Sequence, residues 1–387
     1  KSTATIDMTK PRQTVAIVGA GIGGLTAALA FARNGAEVFV LEQAPELKEV
    51  GAGIQITPNG ARVLNALGLA EDCAAQSIVA QGVQPMDAIT GRPVTCFDLS
   101  IKSPAYRFFH RASLLTVLAE AAKNAGVHIS LGRRVSAVTA DGTVKTDAGP
   151  LHADIVVGAD GIQSVTRDLF GGPKAEFTGQ VAWRDVIIVP DAPAVARIWM
   201  GPNRHVVTYP LKGGLMNVVA VQERSDWAAE GWDHMDNPVN LRSAFSDCAP
   251  DLQAILAKVK APSLWGLFRH PVAPVWSKGH VVLLGDAAHP TLPFLAQGAN
   301  LAIEDAFVLA RCCADHSSVQ SAFRHYQQLR RDRVIRAISA ANANAKNYHL
   351  SGLKRSVAFA GLKTLGAVAP SAFVNRLGWL YDCDVTR

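Results

Sequence analysis

A short unbroken apolar run, Thr14-Val-Ala-Ile-Val18, ends in glycines near the start of the chain. Such a run reads as a strand buried on both faces of a parallel sheet. Gly19-Ala-Gly-Ile-Gly-Gly24 follows, and the Ala/Leu-rich stretch Leu25 to Arg33 predicts a helix stopped at Asn34-Gly35. Val38-Phe-Val-Leu41 predicts a second strand that closes at Glu42, completing one β-α-β unit. Helical spacing then predicts helices over 58–70 and 113–125, with short strands over 78–99 and a strand over 153–157. The pattern changes at Val181. Strand-like segments over 181–189, 195–200, 205–211 and 215–223 follow one another with only Pro and Gly turns between, which predicts an antiparallel sheet in a second domain. A helix over 240–259, a strand over 264–269 and a parallel-type strand over 280–284 come next. Long Ala-rich helices are expected over 299–313 and 319–346.

Composition narrows the class. Of 387 residues, 49% are hydrophobic and 18% charged, so the chain can bury a sizeable core and is not a disordered tail. No apolar run reaches the ~18 residues of a membrane span, so no membrane partner is expected. Residues 1–13 are polar, which argues against a secretory signal. The formal charge of +6 favours an anionic small molecule or cofactor. The single basic cluster, Arg324, Arg330, Arg331, Arg333 and Arg336, has helical spacing and reads as a solvated or interface helix; no nucleic acid is expected. The six cysteines lack CxxC spacing, which suggests free thiols and a cytoplasmic location. The 11 histidines show no metal-ligand spacing, and no metal is expected. No HExxH, GxSxG or P-loop lysine motif is present.

The glycine motif has chemical content. Gly19 permits a tight turn, Gly21 lets the backbone approach a pyrophosphate, and Gly24 lets helix and strand pack closely. The helix N-terminus then offers free N–H groups and a positive dipole to phosphates. Glu42, 23 residues after Gly19, is placed to accept hydrogen bonds from ribose hydroxyls. This pattern points to a dinucleotide without separating FAD from NAD. Gly158-Ala-Asp160-Gly161 and Gly285-Asp286-Ala-Ala-His289-Pro290 also stand at strand carboxyl ends, where open α/β sheets bind ligands. Taken alone, the first is equally a turn with an Asp cap. Gln297-Gly298-Ala299-Asn300 opens a helix whose N-terminus suits negative charge on a ring.

With these motifs in this order, the chain resembles the group A flavoprotein aromatic hydroxylases, in the branch of salicylate hydroxylase, 3-hydroxybenzoate 6-hydroxylase and 6-hydroxynicotinate 3-monooxygenase. The resemblance runs from Val15 to about Asp384. It implies a Rossmann-like FAD-binding domain of the p-hydroxybenzoate hydroxylase type, an antiparallel β-sheet substrate domain and C-terminal helices, in an α/β chain. The expected FAD domain is discontinuous, over 12–75, 103–175 and 271–315. The substrate domain would take 76–102 and 176–270, and the helices 316–387.

The resemblance also implies roles. Gly19, Gly21, Gly24 and Glu42 would hold the ADP part of FAD. Arg111, in His110-Arg111-Ala-Ser-Leu-Leu, would contact FAD, and Val135 would meet adenine through its backbone. Asp160 belongs to a motif used for FAD and for the nicotinamide cofactor, and Asp286 would bind the ribityl side. The flavin ring is expected near Gly51-Ala-Gly-Ile54 and Gly298-Ala299. NADH or NADPH would reduce FAD while bound transiently near the same cleft. O2 would then give a flavin 4a-hydroperoxide that hydroxylates a small, anionic aromatic substrate. His205 and Tyr209 match a His-x-x-x-Tyr pair beside the substrate; otherwise they read as sheet residues satisfied elsewhere. Pro293 and Phe294 depart from the branch, which carries Gln at the first position in one enzyme type and His at the second in two others. Arg184 reads as a carboxylate anchor or as one half of a structural ion pair with Asp185 or another acid. A homodimer is expected. Two other readings stay open: an epoxidase or hydroxylase of a larger polycyclic or isoprenoid substrate, and a non-catalytic flavin-binding sensor.

Overall fold

The computed structural model describes residues 12–47, 52–225, 234–368 and 371–387. Gly51, expected near the flavin ring, lies outside the described residues.

The β-α-β unit forms as its pattern requires. Strands Thr14–Val18 and Glu37–Leu41 pair in parallel around helix Ile22–Arg33. The sheet extends, among the described residues, in the order Ser277–Lys278, Val281–Leu283, Ile155–Gly158, Thr14–Val18, Glu37–Leu41, His128–Ser130. All its pairs are parallel except the edge pair Ser277–Lys278 with Val281–Leu283. Val15, Ile17, Val156, Val157, Val281 and Val282 are fully buried, which is why these strands read as continuous apolar runs. Helices Ile22–Arg33, Arg111–Asn124 and Gly298–Asp315 pack together on one face. The 30-residue helix Val319–Tyr348 packs on Gly298–Asp315.

The second large sheet runs His234–Met235, Ser263–Arg269, Glu176–Ile188, Leu215–Glu223, Arg204–Leu211, Val195–Gly201, Gly82–Asp87, Phe97–Asp98. It is not purely antiparallel as expected: Val195–Gly201 pairs in parallel with Gly82–Asp87. These strands come from distant parts of the chain, so no hairpin dictates their direction. One face of this sheet buries Trp183, Trp199, Val206 and Val218 against Leu241, Phe245, Leu252 and Leu256. The expected helix over 240–259 is two helices, Pro238–Ala244 and Pro250–Ala257, because Pro250 lacks the N–H that a continuous helix needs and opens a new one.

The basic cluster divides between the two expected settings: Arg324 and Arg336 are exposed, whereas Arg330 and Arg333 face the neighbouring helix. Arg330 is 1% exposed, with its guanidinium 2.6 Å from Glu304 and 2.7 Å from Asp305, and Arg333 lies 2.7 Å from Glu304. The acidic pair on the facing helix draws these arginines inward, where each buried charge has a partner. All six cysteines are free thiols. No helix among the described residues is long and apolar enough to cross a membrane.

Candidate active site

The glycine turn is built on close backbone contact. Gly19 has φ +99°, and a Cβ there would stand 2.6 Å from the Ala159 carbonyl oxygen. A Cβ on Gly24 would overlap the Gly19 carbonyl oxygen. Gly21 differs: nothing lies within 4 Å of where its Cβ would be. It caps helix Ile22–Arg33, which has no side-chain cap and no acidic residue in its first turn. The positive end of that helix is therefore left for an outside anion. Glu42 secures the turn: its carboxylate accepts from Ala20 N–H and Ala44 N–H, each at 2.8 Å.

Gly21 and Gly23 form one wall of a cavity of about 320 Å³. A second wall comes from the strand end at Leu284. Asp286 turns its side chain into the cavity space. Enclosure by the protein pushes its carboxyl pKa up, while His289, Arg111 and the Thr291 N–H pull the other way. Gly298 and Ala299 lie beside it and begin helix Gly298–Asp315, again with no side-chain cap and no acidic first turn. Ala296 just before it adopts φ +54°, which turns the chain sharply into this helix. Arg111, the first residue of its own helix, adds a cation. Two helix N-termini and a guanidinium thus converge on one space.

The antiparallel sheet closes the cavity. On strand Arg204–Leu211, Val206 faces the buried core of that sheet, and His205, Val207 and Tyr209 face the cavity. Period-two alternation puts them there. The Tyr209 phenol has its pKa raised by burial, with Arg184 and a hydrogen bond from Gln55 opposing, and it stays protonated at neutral pH. Burial drives the His205 pKa well below its ordinary value, aided by neighbouring His349. Asn217, opposite Tyr209 in the sheet, accepts from Gly53 N–H at 2.6 Å and so fixes the Gly53–Ile56 strand over the cavity. Arg184 also lines the cavity and stacks on Trp265, 4.7 Å from the ring centroid. Asp185 accepts from the backbone N–H groups of Val186, Lys260 and Ala261.

A second cavity, about 280 Å³ and largely apolar, opens on the other side of His205. Phe97, Met200, Phe294 and Leu362 are among its walls, and it shares Gln55, His205, Val207, Pro293 and Ala296 with the first.

Of the residues singled out in the sequence, Gly21, Arg111, His205, Tyr209, Asp286, Gly298 and Ala299 line the first cavity together. Gly19, Gly24 and Glu42 shape its glycine wall from behind. Asp160 turns inward: its carboxyl accepts from Ser164 Oγ at 2.5 Å and from Thr166 N–H and Oγ1 at 3.0 Å. Its neighbours Ala159 and Gly161 reach the cavity instead. Val135 packs its side chain in a separate cluster with Val18, Leu41 and Val144, away from both cavities. Gln55, Asn217 and His349 were not singled out. They carry no motif, and only the fold brings them to the site.

The residues fit a bound FAD. Gly21 leaves room for a pyrophosphate against free helix N–H groups, the Asp286 carboxyl faces the cavity, and the second helix end offers positive potential to a ring. The family described as "FAD binding domain" matches residues 12–341. The chain is similar to 3-hydroxybenzoate 6-hydroxylase of Polaromonas naphthalenivorans (strain CJ2), with 35% identity covering 96% of each chain. It is also 35% identical to 3-amino-4-hydroxybenzoate 2-monooxygenase of Streptomyces cremeus, over 87% of this chain and 88% of that one. A solved salicylate hydroxylase substrate complex shares the fold, with TM-score 0.81, 23% identity and coverage of 97% and 96%. These relatives are enzymes, which sets aside the flavin-sensor expectation. The chain belongs to the FAD binding domain family, among its FAD-dependent aromatic monooxygenases.

Proposed function

We propose that the enzyme hydroxylates a phenolic or hydroxy-aromatic acid, with NADH or NADPH and O2 as co-substrates. The observation that carries this reading is the common orientation of His205, Val207 and Tyr209, which face Asp286 and two uncapped helix N-termini across one cavity. Bound FAD supplies the reductive activation of O2. The chain binds, orients, excludes water and handles the proton.

Gly21 and the N-terminus behind it hold the pyrophosphate, with Glu42 toward the ribose and the Val135 backbone toward adenine. The Asp160 turn shapes the pocket floor. Arg111, Asp286, Gly298 and Ala299 orient the flavin end. His205 Nε2 accepts the proton of the substrate hydroxyl, because a phenolate ring is far more nucleophilic than a phenol ring. Tyr209, kept protonated by burial, donates a hydrogen bond to the same oxygen. Arg184 anchors the carboxylate. Pro293 and Phe294 present apolar surface beside His205 and keep water from the reacting edge. Segments 12–75, 103–175 and 271–315 serve FAD, and 76–102 with 176–270 serve substrate. A cytoplasmic location belongs to this reading and suits the free thiols.

The test is NAD(P)H oxidation by the FAD-loaded enzyme across a panel of hydroxybenzoates. Faster oxidation with formation of a dihydroxylated product supports the reading; an unchanged rate across the panel overturns it. A second reading keeps the chemistry and enlarges the substrate. It rests on the adjoining cavity, whose described lining residues carry no Lys, Arg, Asp or Glu and suit a second ring or an alkyl extension.

A further inference from the structure

Behind His205 lies a chain of hydrogen bonds that leads out of the cavity. His205 Nδ1 is 2.7 Å from His349 Nε2, and His349 Nδ1 is 2.6 Å from Glu223 Oε1. His205 is 2% exposed and His349 6%, whereas the Glu223 side chain is 44% exposed. The three residues come from the cavity strand, the end of helix Val319–Tyr348 and the end of the neighbouring strand. Backbone bonds hold them in register: Asn203 N–H donates to the His349 carbonyl at 3.3 Å, and Glu223 N–H to the Asn203 carbonyl at 2.9 Å. An ionised carboxylate only accepts, so His349 donates through Nδ1 and its Nε2 is left as an acceptor. His205 must then donate through Nδ1. Its Nε2 is left with a lone pair for the cavity.

We propose that Glu223 and His349 form a proton exit from the active site, fixing His205 in its Nδ1–H tautomer and carrying the substrate's hydroxyl proton to solvent while the cavity stays closed. This rests on His205 meeting the substrate hydroxyl as read above. The transfers balance. The phenol O–H breaks as His205 Nε2–H forms. His205 Nδ1–H breaks as His349 Nε2–H forms, and His349 Nδ1–H breaks as the proton reaches Glu223 and then water. Reprotonation of the product phenolate along the same path restores both tautomers. Burial lowers the pKa of both imidazoles, so each enters the cycle neutral with a single ring proton to pass. His349 and Glu223 touch no reacting atom; they are positioning residues.

The experiment has a readout that needs no turnover. In the 15N-histidine-labelled, FAD-loaded enzyme without substrate, NMR should show His205 and His349 both neutral and both as Nδ1–H tautomers. In Glu223→Ala, His349 should lose that preference and His205 with it. Finding His205 as the Nε2–H tautomer, or unmoved tautomers in Glu223→Ala, overturns the proposal. With 3-hydroxybenzoate as probe, Glu223→Gln should keep KM and the rate of flavin reduction but slow the hydroxylation half-reaction about tenfold and enlarge its solvent isotope effect, one order of magnitude being a modest share of what general base catalysis supplies. An unchanged isotope effect in a wild-type-like hydroxylation overturns it as well. If the wild type hydroxylates no hydroxybenzoate while the tautomers are as expected, the substrate reading fails and the His205–His349–Glu223 chain stands.

Discussion

His289 Nε2 lies 2.6 Å from Asp305 Oδ2, and this contact ties the flavin-side turn Gly285–Pro290 to the helix behind it. Asp305 also accepts from Gly285 N–H at 3.3 Å and from Arg330 Nε at 2.7 Å. One fully buried carboxylate therefore sets the position of the strand end, the Asp286 turn and the long C-terminal helix together. Asp305→Asn removes the charge that compensates a buried arginine. It should cost about 3–5 kcal/mol of stability and weaken FAD retention, seen as a lower urea midpoint and faster flavin release on dilution.

The same cluster sets an acid limit. Burial pushes the Asp305 and Glu304 carboxyls up, but His289, Arg330 and Arg333 overcome it and hold both below the ordinary carboxylate range. Folded, these groups bind fewer protons than when unfolded. Their contribution is thus fully present above the unfolded value of about pH 4 and fades as pH falls through the lower folded values. Urea midpoints measured downward from pH 6 should drop most steeply below about pH 4 in the wild type and less steeply in Asp305→Asn. Parallel curves would remove the cluster from the account.

Gly21 and Gly24 should separate binding from folding. A Cβ at position 21 meets no protein atom within 4 Å, so Gly21→Ala should fold with near-normal stability and lose FAD affinity. A Cβ at position 24 runs into backbone that cannot yield, so Gly24→Ala should lose about 1–3 kcal/mol, the range of a forced overpacking. Thermal melts of the apoproteins together with flavin titrations distinguish the two.

Asp286→Ala should lose flavin while staying folded. Enclosure already makes the charged carboxyl unfavourable in the apoprotein, so its removal leaves the empty fold no weaker. Losing hydrogen bonds to a charged acceptor should cost about 1.5–3 kcal/mol of FAD binding, roughly 10- to 150-fold in Kd. A purified variant of full yellow colour would place Asp286 away from the cofactor.

Tyr209→Phe should lower the fraction of NAD(P)H consumption that ends in hydroxylated product and raise peroxide release. Because Tyr209 remains protonated, its loss should leave the pH profile in place. Product and peroxide yields over pH 6–9 test both points, and unchanged coupling would remove Tyr209 from the site.

Local constraints made much of this legible in the sequence. A glycine turn between an apolar run and an Ala/Leu helix admits few conformations, because sterics act between near neighbours. The alternation of strand Arg204–Leu211 likewise placed His205, Val207 and Tyr209 on one face without reference to the rest of the chain. Tertiary structure decided what depends on distant segments. The separation of 144 positions between His205 and His349 leaves no periodic trace, so their bond could not be read from spacing. Helical spacing left Arg330 open between a solvated and an interface face, because it says which residues share a face and not what that face meets; Glu304 and Asp305 turned it inward. The sequence left Asp160 open between a ligand contact and a turn cap, and the position of Ser164 and Thr166 directs its carboxyl into its own turn while that of Asp286 faces the cavity.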